Sequence, residues 1–253
     1  MGKVIAVANQ KGGVGKTTTC VNLSAALTEL GSRVLLCDMD PQGNATSGLG
    51  VDKNNAEMNM YSVLIEGIDA TEAIVNTPYS DVLPSNKILS GAGVELVMLK
   101  GREFILKNVL KNVRDSYDYI LIDCPPSLEM LTLNSLCAAD TILIPVQCEY
   151  YALEGLSDLM STIRMTKKAL NPDLDIEGVL LTMYDSRTNF SSQVAAEVKK
   201  FFRDKTYSVS IPRNVRLAEA PSHGGPVMQY DRHSRGSQSY IELAKEFLKR
   251  NSL

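Results

Sequence analysis

The chain has 253 residues, enough to bury a full core in one large α/β domain or two small ones. Hydrophobic residues make up 44% and charged residues 22%, which excludes a disordered or collagen-like chain, and no apolar run reaches the roughly 18 residues needed to cross a bilayer. Net charge is −3, and the five cysteines (Cys20, Cys37, Cys124, Cys137, Cys148) are widely spaced without a C-x-x-C pair, which argues against a generally basic nucleic-acid binder, a disulfide framework and a zinc site.

In chain order, Lys3 to Ala8 runs through Val4, Ile5, Ala6 and Val7 and predicts a short buried strand, with no signal peptide before it; a cytosolic protein is expected. A glycine-rich turn and a helical pattern from Lys16 to about Leu30 follow, closed by Gly31 as a C-cap, so the chain opens as a βαβ unit. Arg33 to Cys37 is the next apolar strand and ends at Asp38. Between Gly43 and Gly101 the pattern weakens, with short helical pieces around Tyr61 to Glu66 and Thr71 to Asn76, and it reads as an insertion within the same domain. Further apolar strands are predicted at Tyr119 to Ile122, Thr141 to Val146 and Glu177 to Met183, with helices at Leu153 to Leu170 (stopped by Pro172), Ser191 to Phe202 and Ser237 to Arg250. Near-continuous apolar strands alternating with helices imply a mostly parallel sheet with helices on both faces, in one α/β domain spanning 1–253.

Charge is unevenly spread. From Arg187 onward twelve Lys/Arg face six Asp/Glu, about +6, which leaves about −9 for the rest of a chain whose total is −3. Such an asymmetry suits a basic face on an acidic molecule, or merely solvated helix surfaces.

The chemistry starts at Lys11-Gly12-Gly13-Val14-Gly15-Lys16-Thr17-Thr18, which follows a strand and opens a helix. Glycines let successive backbone N–H groups curl toward phosphate oxygens, and the helix N-terminus adds its positive end. The single-domain P-loop fold that follows would bind ATP, with Lys16 reaching the β- and γ-phosphates and Thr17 ligating Mg²⁺. The common pattern G-x-x-x-x-G-K-[ST] needs glycine at position 10, where Gln10 stands, and a second lysine, Lys11, opens the loop instead. Asp38 and Asp40 close the second strand in Asp38-Met39-Asp40-Pro41-Gln42-Gly43-Asn44, beside the loop, although strand-end aspartates also serve as turn caps. Tyr119 to Ile122 likewise ends in Asp123, the arrangement in which a carboxylate holds Mg²⁺ directly or through water.

The K-G-G-x-G-K-[ST] loop and the D-x-D-P-Q-G-N box resemble the ParA/Soj chromosome-partitioning ATPases, within the wider class that includes MinD and the nitrogenase iron protein. The likeness covers the chain from Asn9 to about Tyr240. It implies a slow, Mg²⁺-dependent ATPase acting as a homodimer with ATP, in which Lys11 reaches across to the partner's phosphates, Asp40 positions the attacking water and Asp38 lies nearer the magnesium. Pro125-Pro126-Ser127 resembles the family's switch segment. Ile211-Pro212-Arg213-Asn214 resembles its adenine-side loop, which makes Pro212 and Asn214 candidates for base contacts. Pro145 to Tyr151 is similar to the chromosomal branch. Arg187 and Arg216 match positions implicated in non-specific binding of double-stranded DNA, or are ordinary surface arginines. The resemblance further implies a ParB-type activator and a cytoplasmic, nucleoid-associated protein. One rival is a MinD-like membrane switch, which would use the apolar stripe Tyr240, Ile241, Ala244, Phe247 and Leu248 as an amphipathic anchor, although the stripe reads more simply as the packing face of the domain's last helix. Another is an iron-protein-like reductase, for which Cys124 and Cys137 lack the cluster-ligand contexts.

Overall fold

A computed structural model of the chain describes residues 1–149 and 152–252. Six parallel strands, β1 (Lys3–Val7), β2 (Val34–Asp38), β3 (Asp81–Leu83), β4 (Tyr119–Asp123), β5 (Thr141–Gln147) and β6 (Asp175–Thr182), lie in the order β3-β2-β4-β1-β5-β6. Helix α1 (Lys16–Glu29) follows β1 directly, and the short α2 (Asn44–Gly48), a π-turn at Ser62–Glu66 and α3 (Ala70–Ala73) lie between β2 and β3. Next come α4 (Leu89–Leu96) and α5 (Ile105–Leu110) before β4, α6 (Met130–Ala138) between β4 and β5, and α7 (Ala152–Ala169) between β5 and β6. The chain ends with α8 (Asn189–Phe202), α9 (Val215–Glu219), α10 (Val227–Tyr230) and α11 (Arg235–Asn251).

Strand alternation divides the core into two layers. In β1, Val4 and Ala6 face one apolar cluster, which also takes in Leu64, Leu89, Leu96, Leu106, Leu136 and Leu159. Ile5 and Val7 face the other, where Leu23 and Leu27 of α1 meet Tyr240, Leu243, Ala244 and Phe247 of α11. A parallel sheet covered on both faces favours apolar residues at most strand positions, which is why these strands read as near-continuous hydrophobic runs. Phe247 packs edge-on to Tyr119 at 5.1 Å between ring centroids.

The predicted strands and long helices appear within a few residues of their expected ends. The 43–101 segment departs from its reading as an insertion, because it contributes β3 to the sheet edge, with Leu36 opposite Val82 and Cys37 opposite Leu83. Beyond β6 the segment from Thr206 to Pro212 runs alongside the sheet through isolated bridges, Val179 to Thr206 and Tyr184 to Pro212. The stripe on α11 is packed into the domain, with Tyr240, Ala244 and Phe247 buried and Ile241 and Leu248 against the same cluster, so it offers no free face to a bilayer. Among the described residues no helix is long and apolar enough to cross a membrane. All five cysteines, Cys124 and Cys137 included, are buried free thiols.

Candidate functional site

The loop from Gln10 to Gly15 crosses the C-terminal edge of the sheet, with β1 central between β4 and β5. Gly13 (φ 74°) and Gly15 (φ 90°) take left-handed conformations that a side chain would strain, and Gly15 serves as the N-cap of α1. Two long-range hydrogen bonds and one local one hold the loop in place. Asn9 Nδ2 donates to Pro145 O at 2.8 Å, Thr182 Oγ1 donates to Val14 O at 2.8 Å, and Lys16 Nζ donates to Lys11 O at 3.0 Å. Lys16 is buried, which lowers its pKa, while Asp123, Cys124 and Asp40 pull the other way. Lys11 lies on the outer side of the loop, where its ammonium pairs with Glu149, both groups about a third exposed (32% and 37%). A Cβ built on the neighbouring Gly12 would meet nothing within 4 Å.

Asp38 and Asp123 are cross-strand neighbours at the ends of β2 and β4, both fully buried. Their environments differ. Asp38 Oδ2 accepts from Thr46 N (2.8 Å) and Thr46 Oγ1 (2.7 Å), and Oδ1 accepts from Asp40 N (3.2 Å). Burial nevertheless pushes its pKa up to about 6. Asp123 Oδ1 accepts a weak bond from Cys20 Sγ (3.5 Å), and Oδ2 is buried with no partner at hydrogen-bond distance. Burial first, then Asp38, drives the Asp123 carboxyl well above the usual range, against the adjacent Thr17 hydroxyl and Lys16 ammonium. An orphaned carboxylate oxygen beside a threonine hydroxyl is an arrangement a hard cation would satisfy. Asp40 stands one step farther out, half-buried, with Gln42 N donating to its Oδ1 at 2.9 Å.

A cleft of about 370 Å³ opens beside the start of α1, lined by Gly15, Thr18, Met183, Pro212, Asn214 and Tyr240 among others. It brings the 211–214 segment against the glycine loop. Its mostly apolar wall is suited to a flat aromatic ring. Asn214 also caps α9, its Oδ1 accepting from Arg216 N at 2.9 Å.

Arg187 and Arg216 lie at this same end of the molecule, in segments joined where Arg213 N bonds Tyr184 O. Both are already paired. Arg187 grips Asp185 through two hydrogen bonds (2.9 and 2.8 Å), which holds the Asp185 pKa down to about 2. Arg216 pairs with Glu219 (2.9 Å) and Asp231 (3.3 Å) and lies over the Tyr230 ring. Of the twelve basic residues counted from Arg187 onward, five (Arg187, Lys205, Arg216, Arg232, Arg250) are in ion pairs, and Lys205 and Arg250 lie at the opposite end of the sheet. The linear charge asymmetry therefore does not fold into one uniformly basic face. Thr46, Ser85 and Thr182 touch the site without belonging to any local motif, and Glu149 lies in the Pro145 to Tyr151 segment, to which sequence reading assigns no chemistry; Tyr150 and Tyr151 lie outside the described residues.

A family model for an AAA domain matches residues 2–176. The chain is 59% identical to the sporulation initiation inhibitor protein Soj of Bacillus subtilis over 97% of this chain and 98% of that protein. It is 52% identical to the chromosome partitioning protein ParA of Myxococcus xanthus, over 100% of this chain and 90% of that one. Among solved structures, a Mycobacterium smegmatis protein described as cobyrinic acid a,c-diamide synthase with bound ADP and magnesium superposes with a TM-score of 0.86 at 40% identity, covering 98% of this chain and 95% of its own. That name describes a different reaction from the partitioning relatives, but the fold and the nucleotide it holds are common ground. With a glycine loop on the central strand, two strand-end aspartates beside it, and whole-length identity of this order, the chain belongs to the ParA/Soj family of chromosome-partitioning ATPases.

Proposed function

We propose that Mg-ATP joins two copies of this chain face to face, that the dimer binds double-stranded DNA without reading its sequence, and that slow hydrolysis releases it, driving partition of a chromosome or plasmid. The observation that carries this reading is the stationing of Lys11. A second lysine is redundant for phosphates already served by Lys16, yet Lys11 stands on the loop's outer side beside the open space over Gly12. Its pair with Glu149, a third exposed at each end, is worth about 1 kcal/mol or less and is readily exchanged for a partner's phosphates.

Gly12, Gly13, Val14, Gly15 and Thr18 cradle the phosphates with Lys16, while Pro212 and Asn214 bound the cleft that takes the adenine. Thr17 and Asp123 hold Mg²⁺, with Asp38 alongside. Among the described residues no three His, Cys, Asp or Glu converge into an all-protein cage, so phosphate and water complete the shell, as is usual for Mg²⁺. When bound, magnesium neutralises charge on the transferring phosphate. Asp40, outside that shell, orients the attacking water. Arg187 and Arg216 contact DNA phosphates after exchanging their carboxylate partners, and a ParB-type protein accelerates turnover. Cytoplasmic, nucleoid-associated placement follows from such DNA binding.

Asp40→Ala is the direct test. The variant is expected to keep ATP, accumulate as a dimer in sedimentation and turn over at least about 10²-fold more slowly. Parental turnover would remove Asp40 from its role.

A further inference from the structure

We infer that Thr46 and Ser85 are positioning residues for ATP hydrolysis, acting together to clamp both peptide groups that flank Asp40; the inference rests on the assignment of Asp40 as the water-orienting group. Thr46 sits in α2 and Ser85 two residues past the end of β3, and both are fully buried. They are joined to each other and to the aspartate box. Ser85 N donates to Thr46 Oγ1 at 2.9 Å, and Thr46 Oγ1 lies 2.7 Å from Asp38 Oδ2.

Donor and acceptor counting sets the direction of every proton in this chain. A hydroxyl has one hydrogen and two lone pairs. Because the Ser85 amide can only donate, it fills a lone pair on Thr46 Oγ1, and the single Thr46 hydrogen is left for the Asp38 carboxylate. The Ser85 hydroxyl lies 2.8 Å from Asp40 O, and a carbonyl only accepts, so this hydrogen too has one destination. Asp38, oriented by Thr46, then accepts from Asp40 N through its other oxygen at 3.2 Å.

Asp40 is therefore held at both ends of its own residue. Its N–H is fixed by Asp38 and its C=O by Ser85, with Gly43 N at 2.9 Å as a second donor. With both flanking peptide planes pinned, the Cα–Cβ direction is set, and with it the volume in which the Asp40 carboxylate can place a water. Space is tight on the same side. Gly43 has φ +61°, and a Cβ there would come within 2.5 Å of Ser85 O, so the strand end and the loop pack with no room for slack. None of these bonds touches the glycine loop. Losing them should disturb the reacting geometry and leave phosphate binding alone, and a misplacement of about 1 Å costs on the order of 10²-fold in rate.

The test compares Thr46→Val, Thr46→Ser and Ser85→Ala in the full-length protein by single-turnover phosphate release, ATP affinity and thermal melting, each also in an Asp40→Ala background. The expected result is a kcat loss of about 10-fold or more for Thr46→Val and about 3- to 10-fold for Ser85→Ala, with ATP affinity within about 3-fold of the parent. Thr46→Ser should recover most of the rate, and in the Asp40→Ala background Ser85→Ala should cost nothing further. Should Thr46→Val fold poorly, Ser85→Ala and its cycle with Asp40 decide alone. Parental kcat in Ser85→Ala, or an equal and additive loss with and without Asp40, would overturn the clamp. Parental kcat in Asp40→Ala itself would instead overturn the assignment on which it stands.

Discussion

At the scale of single residues the site is a set of charges held apart from water. Lys16 offers the loop its buried cation, and its removal takes away charge-assisted hydrogen bonds worth about 1.5–3 kcal/mol each. Lys16→Ala is expected to weaken ATP binding by about 100-fold or more, measured by fluorescent-nucleotide titration; an unchanged affinity would contradict the phosphate assignment. Asp123 makes a second prediction. Its pKa is raised by burial and by Asp38, so in the absence of nucleotide the folded state holds its proton more tightly than the unfolded chain does. The sign follows: this contribution to stability is full below the unfolded value of about 4 and is lost as pH rises through the folded value. Asp123→Asn should therefore melt higher than the parent at pH 7.5, with a flatter pH profile above about pH 4. Thermal melts without Mg²⁺ or ATP would show it, and a destabilised variant at pH 7.5 would contradict it.

At the scale of elements, what was legible in the sequence was whatever is written contiguously. The five longer strands carry near-continuous apolar runs, β6 only from Val179 onward, because both sheet faces are covered, and the glycine loop announces itself within eight residues. The sixth, β3, is three residues long and stops at Pro84, too short for any alternation to register. Its absence from the sequence reading also hid Ser85, whose role depends on β3 pairing with β2. Thr46 and Thr182 were illegible for a similar reason, since each meets its partner only after segments far apart in sequence are brought together. The stripe on α11 shows the converse limit, because one apolar periodicity suits a membrane face or a core face equally well. Phe247 decides between them: fully buried against Tyr119, it should cost about 3–5 kcal/mol when replaced by alanine. Denaturant unfolding of Phe247→Ala checks this, and a variant with parental stability that lost ATP-dependent association with vesicles would point to a membrane anchor instead.

At the scale of the molecule, the proposed function turns on one subunit being incomplete. Gly12→Val adds a side chain where this chain has open space, so the variant should fold and bind ATP as a monomer yet fail to dimerise in sedimentation. Lys11→Ala should weaken the dimer for a different reason, by removing a cation from the facing surface; normal ATP-dependent dimers in both variants would refute the face-to-face arrangement. Arg187 and Arg216 sit with carboxylate partners on the same end of the molecule, so in a single subunit these two arginines add little net positive charge there. Two subunits engaging one duplex double the number of phosphate contacts, and affinity then falls more steeply with salt. The most direct measurement is a gel-shift series on long duplex DNA with ATP, ADP and no nucleotide across a range of salt, run on the parent and on Arg187→Glu and Arg216→Glu. Tight binding with ATP alone, indifferent to sequence, lost as salt rises, and abolished in the charge-reversed variants while they still dimerise, is the expected result; equal binding without nucleotide, preference for one short sequence, or full binding by the charge-reversed dimers would contradict it.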